Sequence, residues 1–415
     1  MKLLVAIPAY NEEASIASII ERTLAARPRI LAESPVTEVE ITVVSDGSVD
    51  RTVELARRYA DRIRLIVFEK NRGYGAAILE AWRQSDADLL AFLDADGTCD
   101  PLFFVNLCRL IEREKADVVL GCRLNEASRM PLVRQVGNVV FALLLSFFST
   151  KRVRDTASGM RVVRRSSLPR LLPLPDGMHF TPAMSARAIL SPDLKIVEEE
   201  MPYHEREGRS KLSVVKDGFR FLRVIVEAAL LYRPSRVLGF LGAALVLTAV
   251  VLIVPPTVYY LRNRHVLEWM IYRFVVSEVA STSGVLLLCA AYLARRISQM
   301  TLRLPEVRTP FHSAMRWLLR RGPLWTAISL LVVAAAFIVA PSFLELVKTG
   351  ATYEHWSRFI AAATFVSIAV TLLVTRVLDY SLDLIADRLA YLASQGWQTD
   401  AATRTPPAVA RSGNR

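Results

Sequence analysis

The sequence predicts an α/β domain with a parallel or mostly parallel sheet, then short interfacial helices, then an all-α region of four transmembrane helices. Three observations carry this. From residue 1 to about 211, short β-branched runs alternate with helical patterns, as in α/β folds. Beyond Pro234, four apolar stretches each approach the roughly 20 residues needed to cross a bilayer. The 415-residue chain is also apolar and basic at once: 53% hydrophobic and 22% charged, with Lys+Arg 52 against Asp+Glu 40 for a net charge of +12 and a mean hydropathy of +0.31. That balance excludes a disordered chain and is too apolar for an ordinary soluble enzyme. The positive excess suits anionic lipid or a phosphorylated ligand.

In chain order, Leu3 to Ile7 reads as a strand, Glu12 to Ala26 as a helix and Glu40 to Val44 as a second strand. Asp50 to Ala60 reads as a helix, Ile63 to Phe68 as a strand, Gly75 to Ser85 as a helix and Leu89 to Leu93 as a strand. Each strand ends in polar residues, where open α/β sheets bind ligands. Val136 to Phe148 is strongly apolar but too short to span, so it reads as an interfacial helix or a buried core helix. Leu212 to Tyr232 sets Lys216, Arg220 and Arg223 among apolar residues, the composition of a helix lying along a membrane surface.

The apolar stretches run over about 236–260, 274–293, 324–346 and 359–378. The connection after the second carries Arg295, Arg296, Arg303, Arg308, Arg316, Arg320 and Arg321, whereas the one after the third holds Lys348 and Arg358. The positive-inside rule makes the Arg-rich connection cytoplasmic and both termini with it; Arg262 and Arg264 are exceptions. The short apolar run before Pro8 does not read as a signal peptide. The expected organisation is therefore an α/β domain over 1–211, a juxtamembrane interfacial segment over 212–235, a transmembrane domain over 236–380 and a cytoplasmic, partly disordered tail over 381–415. Arg273 can snorkel from a helix boundary. Glu278 lies deeper, where a carboxylate is either functional or paired with an arginine of another helix. Cys99, Cys108, Cys122 and Cys289 show neither metal-ligand spacing nor disulfide density, which reads as a reducing compartment.

Four segments carry candidate chemistry. Pro8-Ala9-Tyr10-Asn11-Glu12-Glu13 follows the first strand and reads alone as a turn with an acidic helix start. Ser45-Asp46-Gly47-Ser48 follows the second, where Asp46 and Ser48 suit turn and cap positions. Asn71-Arg72-Gly73-Tyr74-Gly75 enters a helix, its glycines permitting close backbone approach; it matches neither a dinucleotide fingerprint nor a Walker loop. Asp94-Ala95-Asp96-Gly97 ends an apolar strand. Two carboxylates so spaced reach one hard divalent cation, or else cap the next helix.

Taken in order, these segments, with Gly121-Cys122-Arg123, Asp155-Thr-Ala-Ser158-Gly159-Met-Arg161 and Arg206-x-Gly-x-Ser210-Lys211-Leu212, resemble the family 2 glycosyltransferases of the GT-A fold. The likeness is greatest to the dolichyl-phosphate mannose synthase-like, polyprenyl-phosphate enzymes, and it runs from Leu3 to about Leu212. It implies a nucleotide-diphospho-sugar transferase, Rossmann-like in its sheet. Pro8, Tyr10, Glu12, Asp46, Gly75 and Asp94 would bind the nucleotide sugar, Asp46 toward the base. Asp94 and Asp96 would hold Mg²⁺ or Mn²⁺. Ser45 stands where many relatives carry an aspartate, and Thr98 where the mannose synthases carry glutamine.

For the acceptor phosphate the candidates are Arg123, Arg134, Asn138, Arg206, Ser210 and Lys211: the resemblance implies Arg123, Arg134 and Arg206 by their family positions and Asn138 where mannose synthases carry serine, and arginine forks also suit phosphate physically. Arg164, Arg165 and Arg209 read equally as a solvated basic face. Asp155, in a family motif, would orient the acceptor or serve structure; with Asp94, Asp96 and Arg123 it completes the expected catalytic set. The resemblance implies inverting transfer of a hexose from a GDP-mannose or UDP-glucose type donor to undecaprenyl or dolichyl phosphate at the cytoplasmic face of an inner or plasma membrane. Expected partners are the nucleotide sugar, polyprenyl phosphate and the bilayer, with no nucleic acid; a homo-oligomer is compatible with this.

Two other readings stand beside it. A processive polysaccharide synthase needs Gln-x-x-Arg-Trp, but the nearest string is Ser313-Ala-Met-Arg316-Trp317. A lipid-linked sugar transporter with a degenerate transferase domain conflicts with intact Asp94 and Asp96.

Overall fold

Alternation along the first strand sorts its side chains to opposite faces of a sheet, and both faces are covered. The computed structural model describes residues 1–125, 132–149, 151–204, 214–263, 265–302, 309–350 and 356–394, in two compact units, Met1–Arg233 and Pro234–Arg415.

In the first unit, β1 (Lys2–Ala9), α1 (Ile16–Glu33), β2 (Glu38–Asp46), α2 (Thr52–Arg57), β3 (Arg64–Phe68), α3 (Tyr74–Arg83) and β4 (Leu89–Leu93) alternate. Then come α4 (Phe104–Arg113), β5 (Val118–Cys122), α5 (Leu132–Phe148), β6 (Met160–Arg164), α6 (Leu168–Leu171), α7 (Phe180–Leu190), β7 (Ile196–Glu200) and α8 (Val214–Tyr232). The sheet order is β3-β2-β1-β4-β6-β5-β7. It is parallel except for β6, which runs antiparallel to both β4 and β5. Val5 of β1 registers with Ile41 on one side and Ala91 on the other. Leu3, Val5 and Ile7 meet α1 and α4 through Ile16, Ile20, Phe104 and Ile111. Leu4 and Ala6 meet Ile78, Trp82, Phe180 and Met184 of α3 and α7. Each such buried Val, Leu, Ile, Phe or Met side chain contributes about 1.5–3 kcal/mol. This is the α/β GT-A arrangement.

The first helix lies later than the sequence predicts. Residues 12–15 form a turn, and α1 continues past Pro28 to Glu33. Pro28 removes one helix hydrogen bond, but Ile30, wholly buried against the sheet, holds the last turns in place.

α5 and α8 pack together through Phe141 and Phe221, ring centroids 5.8 Å apart. α8 also sends Val224 into the core. Their other sides are apolar and exposed: Val136, Val140, Leu143 and Phe147 on α5, Phe219, Leu222 and Leu230 on α8.

The second unit is helical: α9 (Pro234–Asn263), α10 (Glu268–Leu302), α11 (Pro310–Leu318), α12 (Arg321–Thr349) and α13 (Ser357–Ser394). α9, α10, α12 and α13 are long and apolar enough to cross a membrane. Small residues let two of them approach: a Cβ on Gly242 would stand 2.9 Å from the Gly284 carbonyl oxygen. α10 and α13 outrun the expected spans. Arg295 and Arg296 are helical rather than in a loop, and α13 continues beyond residue 380 to Ser394. An ionic cluster locks these extensions: buried Asp379 pairs with Arg296 and accepts from Tyr292 at 3.0 Å, while Arg296 also reaches Asp383 at 2.8 Å.

Candidate functional site

A cavity of about 350 Å³ opens at the carboxyl ends of β1, β2 and β4. The chain builds β1, β2 and β3 outward in one direction and returns to place β4 on the other side of β1; such a reversal leaves a crevice for ligand. Pro8, Tyr10 and Glu12 from the β1 end, Asp46 from β2, and Asp94 and Asp96 from the β4 end all line it.

The Glu12 carbonyl accepts from Ile16 N at 2.9 Å to open α1, which fixes the turn that carries Tyr10. The two oxygens of the Asp46 carboxylate take the backbone N–H groups of Arg72 at 2.6 Å and Gly73 at 2.9 Å. That carboxylate folds the 71–73 loop against the cavity. Ser45, beside it, is buried and donates to Ser48 Oγ at 3.0 Å. Gly73 sits at φ +110°, and a Cβ there would lie 2.4 Å from the Asp176 carbonyl oxygen, so only glycine fits. Gly75 is set back from the cavity. Its N–H donates to Asp176 O at 2.6 Å, and a Cβ would stand 2.1 Å from Pro175 O. The backbone it admits is the chain's own.

Asp94 and Asp96 converge from one turn. Tyr74 donates to Asp94 Oδ1 at 2.6 Å and Thr98 to Asp96 Oδ1 at 2.6 Å. Burial and the Asp94 charge push the Tyr74 hydroxyl well above its usual pKa, so it stays a donor. Gly159 clears the space behind: a Cβ there would fall 1.8 Å from Asp94 Oδ2. The donor set fits a hard divalent cation, since both carboxylates offer oxygens to one cavity and a glycine cradle holds one of them toward it. No cluster of three or more His, Cys, Asp or Glu side chains suited to a metal occurs among the described residues.

Arg123 also lines the cavity. Its guanidinium meets Asp155 in a two-point fork, Nε to Oδ2 at 2.7 Å and Nη2 to Oδ1 at 2.9 Å. Burial opposes the Arg123 charge, but the Asp155 carboxylate outweighs it and holds the guanidinium above its usual value. In turn, despite burial, Arg123 holds the Asp155 carboxyl below the usual carboxylate range. Asn138 donates to Asp155 Oδ1 at 2.6 Å and accepts from Thr156 N at 2.9 Å. Asp155 and Asn138 are therefore buried behind Arg123 rather than facing the cavity. The side chain of Arg134, and Arg206, Ser210 and Lys211 entirely, lie outside the described residues.

Four further residues converge here that the sequence reading did not assign to the site. Tyr74 and Gly159 belong to segments already quoted for the family likeness. Arg220 reads in sequence as a membrane-surface charge of α8, yet it lines the cavity and pairs with Asp217 at 2.9 Å. Tyr203 also lines it, with the Arg123 guanidinium 5.4 Å from its ring centroid; no sequence pattern marks it. Behind the cavity, Arg161 is wholly buried and donates to the carbonyls of Ser158 and Thr156 and to Ser185 Oγ. Burial brings its guanidinium down to about 10.

Residues 4–172 match the family model described as glycosyl transferase family 2. A low-salt glycan biosynthesis hexosyltransferase, Agl6 of Haloferax volcanii, is 34% identical over 231 residues, 55% of this chain and 54% of that protein. This chain thus spans about half the length of that relative. A dolichyl-phosphate hexose transferase of the same organism is 32% identical over 235 residues, 55% of this chain and 94% of its own length. Among solved structures, glucosyl-3-phosphoglycerate synthase from Mycobacterium tuberculosis aligns at a TM-score of 0.40 with 21% identity, covering 55% of this chain and 78% of that one. With the family model on its α/β unit and a relative matched over nearly its whole length, the chain belongs to glycosyl transferase family 2.

Proposed function

We propose that the chain is a membrane-bound inverting glycosyltransferase that moves a hexose from a nucleotide diphosphate sugar to polyprenyl phosphate on the cytoplasmic face. One observation carries this reading. A cavity holding two convergent carboxylates and two arginines, Asp94, Asp96, Arg123 and Arg220, is built partly from α8, whose outer side exposes Phe219 and Leu222. Such an apolar face beside a charged pocket suits a substrate whose head is anionic and whose body is dissolved in lipid. The names of the relatives point to the same acceptor class: one acts as a dolichyl-phosphate hexose transferase, another as a dodecaprenyl-phosphate galacturonate synthase.

The acceptor phosphate is ionised near neutral pH and needs little general-base help, so positioning and charge neutralisation carry the rate. Asp94 and Asp96 would hold Mg²⁺ or Mn²⁺, which when bound neutralises charge on the departing diphosphate. Pro8, Tyr10 and Glu12 would flank the nucleotide, and Asp46 keeps the 71–73 wall folded beside it. Arg123, held rigid by Asp155, would present its guanidinium to the acceptor phosphate, with Arg220 at the membrane side of the same pocket. The apolar sides of α5 and α8 would rest on the bilayer, with α9, α10, α12 and α13 spanning it.

The test is to incubate the full chain, purified in detergent, with polyprenyl phosphate, Mg²⁺ or Mn²⁺ and a panel of radiolabelled nucleotide sugars. The reaction is then extracted into organic solvent. Labelled lipid with at least one donor is expected; label in a water-soluble polymer instead, or none with any donor, overturns the proposal.

A further inference from the structure

The helical unit contains a cavity of its own, about 790 Å³, between α9, α10, α12 and α13. That volume is within the 300–1,000 Å³ range of ligand sites. The cavity begins at Val246 and reaches Tyr260 and Leu261 on α9, about 18 to 40 Å along the helix from Pro234 at 1.5 Å per residue. It occupies the half of the bundle away from Pro234.

Most of its wall is apolar, with Phe274, Phe337 and Phe365 prominent. Two adjacent residues on α10 break the pattern. Ser277 is 4% exposed, and its Oγ has no hydrogen-bond partner among the described residues. Glu278 lines the same space, and its carboxylate makes no hydrogen bond or ion pair among the described residues. A buried hydroxyl without a partner costs about 1–3 kcal/mol, and a carboxylate inside a membrane span is costlier still and marks function by default. Arginine pairing would be the structural explanation for Glu278. Among the described residues Arg358 is the one cation lining the cavity, and its guanidinium donates to the Tyr260 hydroxyl at 3.4 Å, among other contacts.

We propose that this cavity is a second ligand site, which takes the sugar head of a single-chain, lipid-linked hexose. The head's hydroxyls donate to the Glu278 carboxylate and to Ser277 Oγ, and both vacant acceptors need donors of this kind. Arg358 supplies positive charge for a phosphodiester between head and chain, and the phenylalanines take the isoprenoid. A sugarless prenyl phosphate offers the two acceptors nothing, so the site discriminates by the presence of the sugar. The choice of occupant rests on the proposed function, in that the transferase would make such a lipid.

The experiment uses the full chain in detergent with two diazirine-bearing probes, citronellyl phosphoglucose and citronellyl phosphate, and with citronellyl amine bearing the same diazirine as a cationic control. After photolysis, the label is mapped by mass spectrometry. Peptides from residues 1–233 report the catalytic pocket, and peptides from 234–394 the second site. At least fivefold more labelling of the helical peptides by the sugar-bearing probe is expected, falling to the sugarless level in Glu278→Ala and in Ser277→Ala. The serine substitution is nearly isosteric, so its result stands if the glutamate variant does not fold. Equal labelling by the two probes, or labelling unchanged in Ser277→Ala, overturns the proposal and leaves an ordinary lipid-filled cleft. Preferential labelling by citronellyl amine overturns it in favour of a cation site. The readout needs no turnover, so failure of every donor in the transfer assay would sink the proposed function without touching this result. Transfer without sugar-dependent labelling would sink only the second site.

Discussion

Two acidic segments meet at the catalytic cavity and use their carboxylates in opposite ways. In the turn after β4, Asp94 and Asp96 point their side chains into the cavity. In the 155–161 segment the carboxylate turns inward, where Asp155 is wholly buried and ties together Arg123, Asn138 and the 155–157 backbone, while Ala157 and Gly159 face the cavity. The first segment presents charge to the cavity and the second presents small surfaces held in place by charge. Deleting a carboxylate of the first should therefore remove chemistry and spare the fold, whereas deleting the Asp155 carboxylate from the second should cost the fold as well.

The sharpest break in that contrast is Asp96→Ala. It removes one of two carboxylates offered to the metal, and with it several kcal/mol of transition-state stabilisation. Transfer should fall by about three orders of magnitude, with the thermal unfolding midpoint in detergent within a few degrees of wild type. Near wild-type transfer would remove the carboxylate pair from the mechanism.

Asp155→Ala tests the other half. It strands the Arg123 guanidinium, whose side chain is 12% exposed, without its anion, and breaking a buried pair by deleting one partner costs about 3–5 kcal/mol. Thermal or denaturant unfolding should register that loss even with no substrate present. Because the Asp155 carboxyl is held below its usual range, its stabilising contribution is complete above the ordinary carboxylate pKa of about 3.9 and vanishes as pH falls through the lower, folded value. Above about pH 5, the stability gap between wild type and variant should stay flat; a gap that closes between pH 7 and 5 contradicts the pairing.

Legibility in the sequence follows the same division. Strands were plain where apolar runs are short and continuous, as in Leu89–Leu93, because a doubly covered sheet writes itself as unbroken hydrophobicity. The antiparallel β6 was not, since Met160–Arg164 carries no mark of direction. α1 was displaced because Pro28 signals an end that Ile30, buried against the sheet, overrides. At the site, Pro8, Asp46, Asp94, Asp96 and Arg123, which meet the cavity from strand ends, lay in an ordered series of short segments. Arg220 and Tyr203 did not, because they arrive from distant elements by packing alone. Asp155 and Asn138 stood out as residues but not in role: sequence spacing cannot say which way a carboxylate turns.

Gly159→Ala joins the two segments and should give an intermediate loss. The added methyl would sit 1.8 Å from Asp94 Oδ2, so the carboxylate must swing aside. A displacement of about 1 Å in a positioned group can cost roughly 100-fold in rate. Transfer should drop by about that factor and recover partly at high Mn²⁺, where occupancy compensates for a poorer ligand. Unchanged metal dependence would mean that Asp94 does not hold the ion.

The smallest effect belongs to Tyr74→Phe. The ring packs edge-on against Phe92 and Phe180, and phenylalanine keeps those contacts, so folding should hardly change. What is lost is one hydroxyl donating to Asp94 Oδ1 at 2.6 Å. A hydrogen bond to a charged acceptor contributes about 1.5–3 kcal/mol. Two consequences pull in opposite directions: the carboxylate loses an anchor, which loosens its aim, but it also gains a free lone pair and more negative charge for the metal. If aim dominates, as the Gly159 cradle on the other side of the same carboxylate implies, the Mn²⁺ concentration for half-maximal transfer should rise about tenfold or less, with the rate at saturating metal nearly unchanged. A fall in that concentration would mean that Tyr74 competes with the metal for Asp94 rather than steering it.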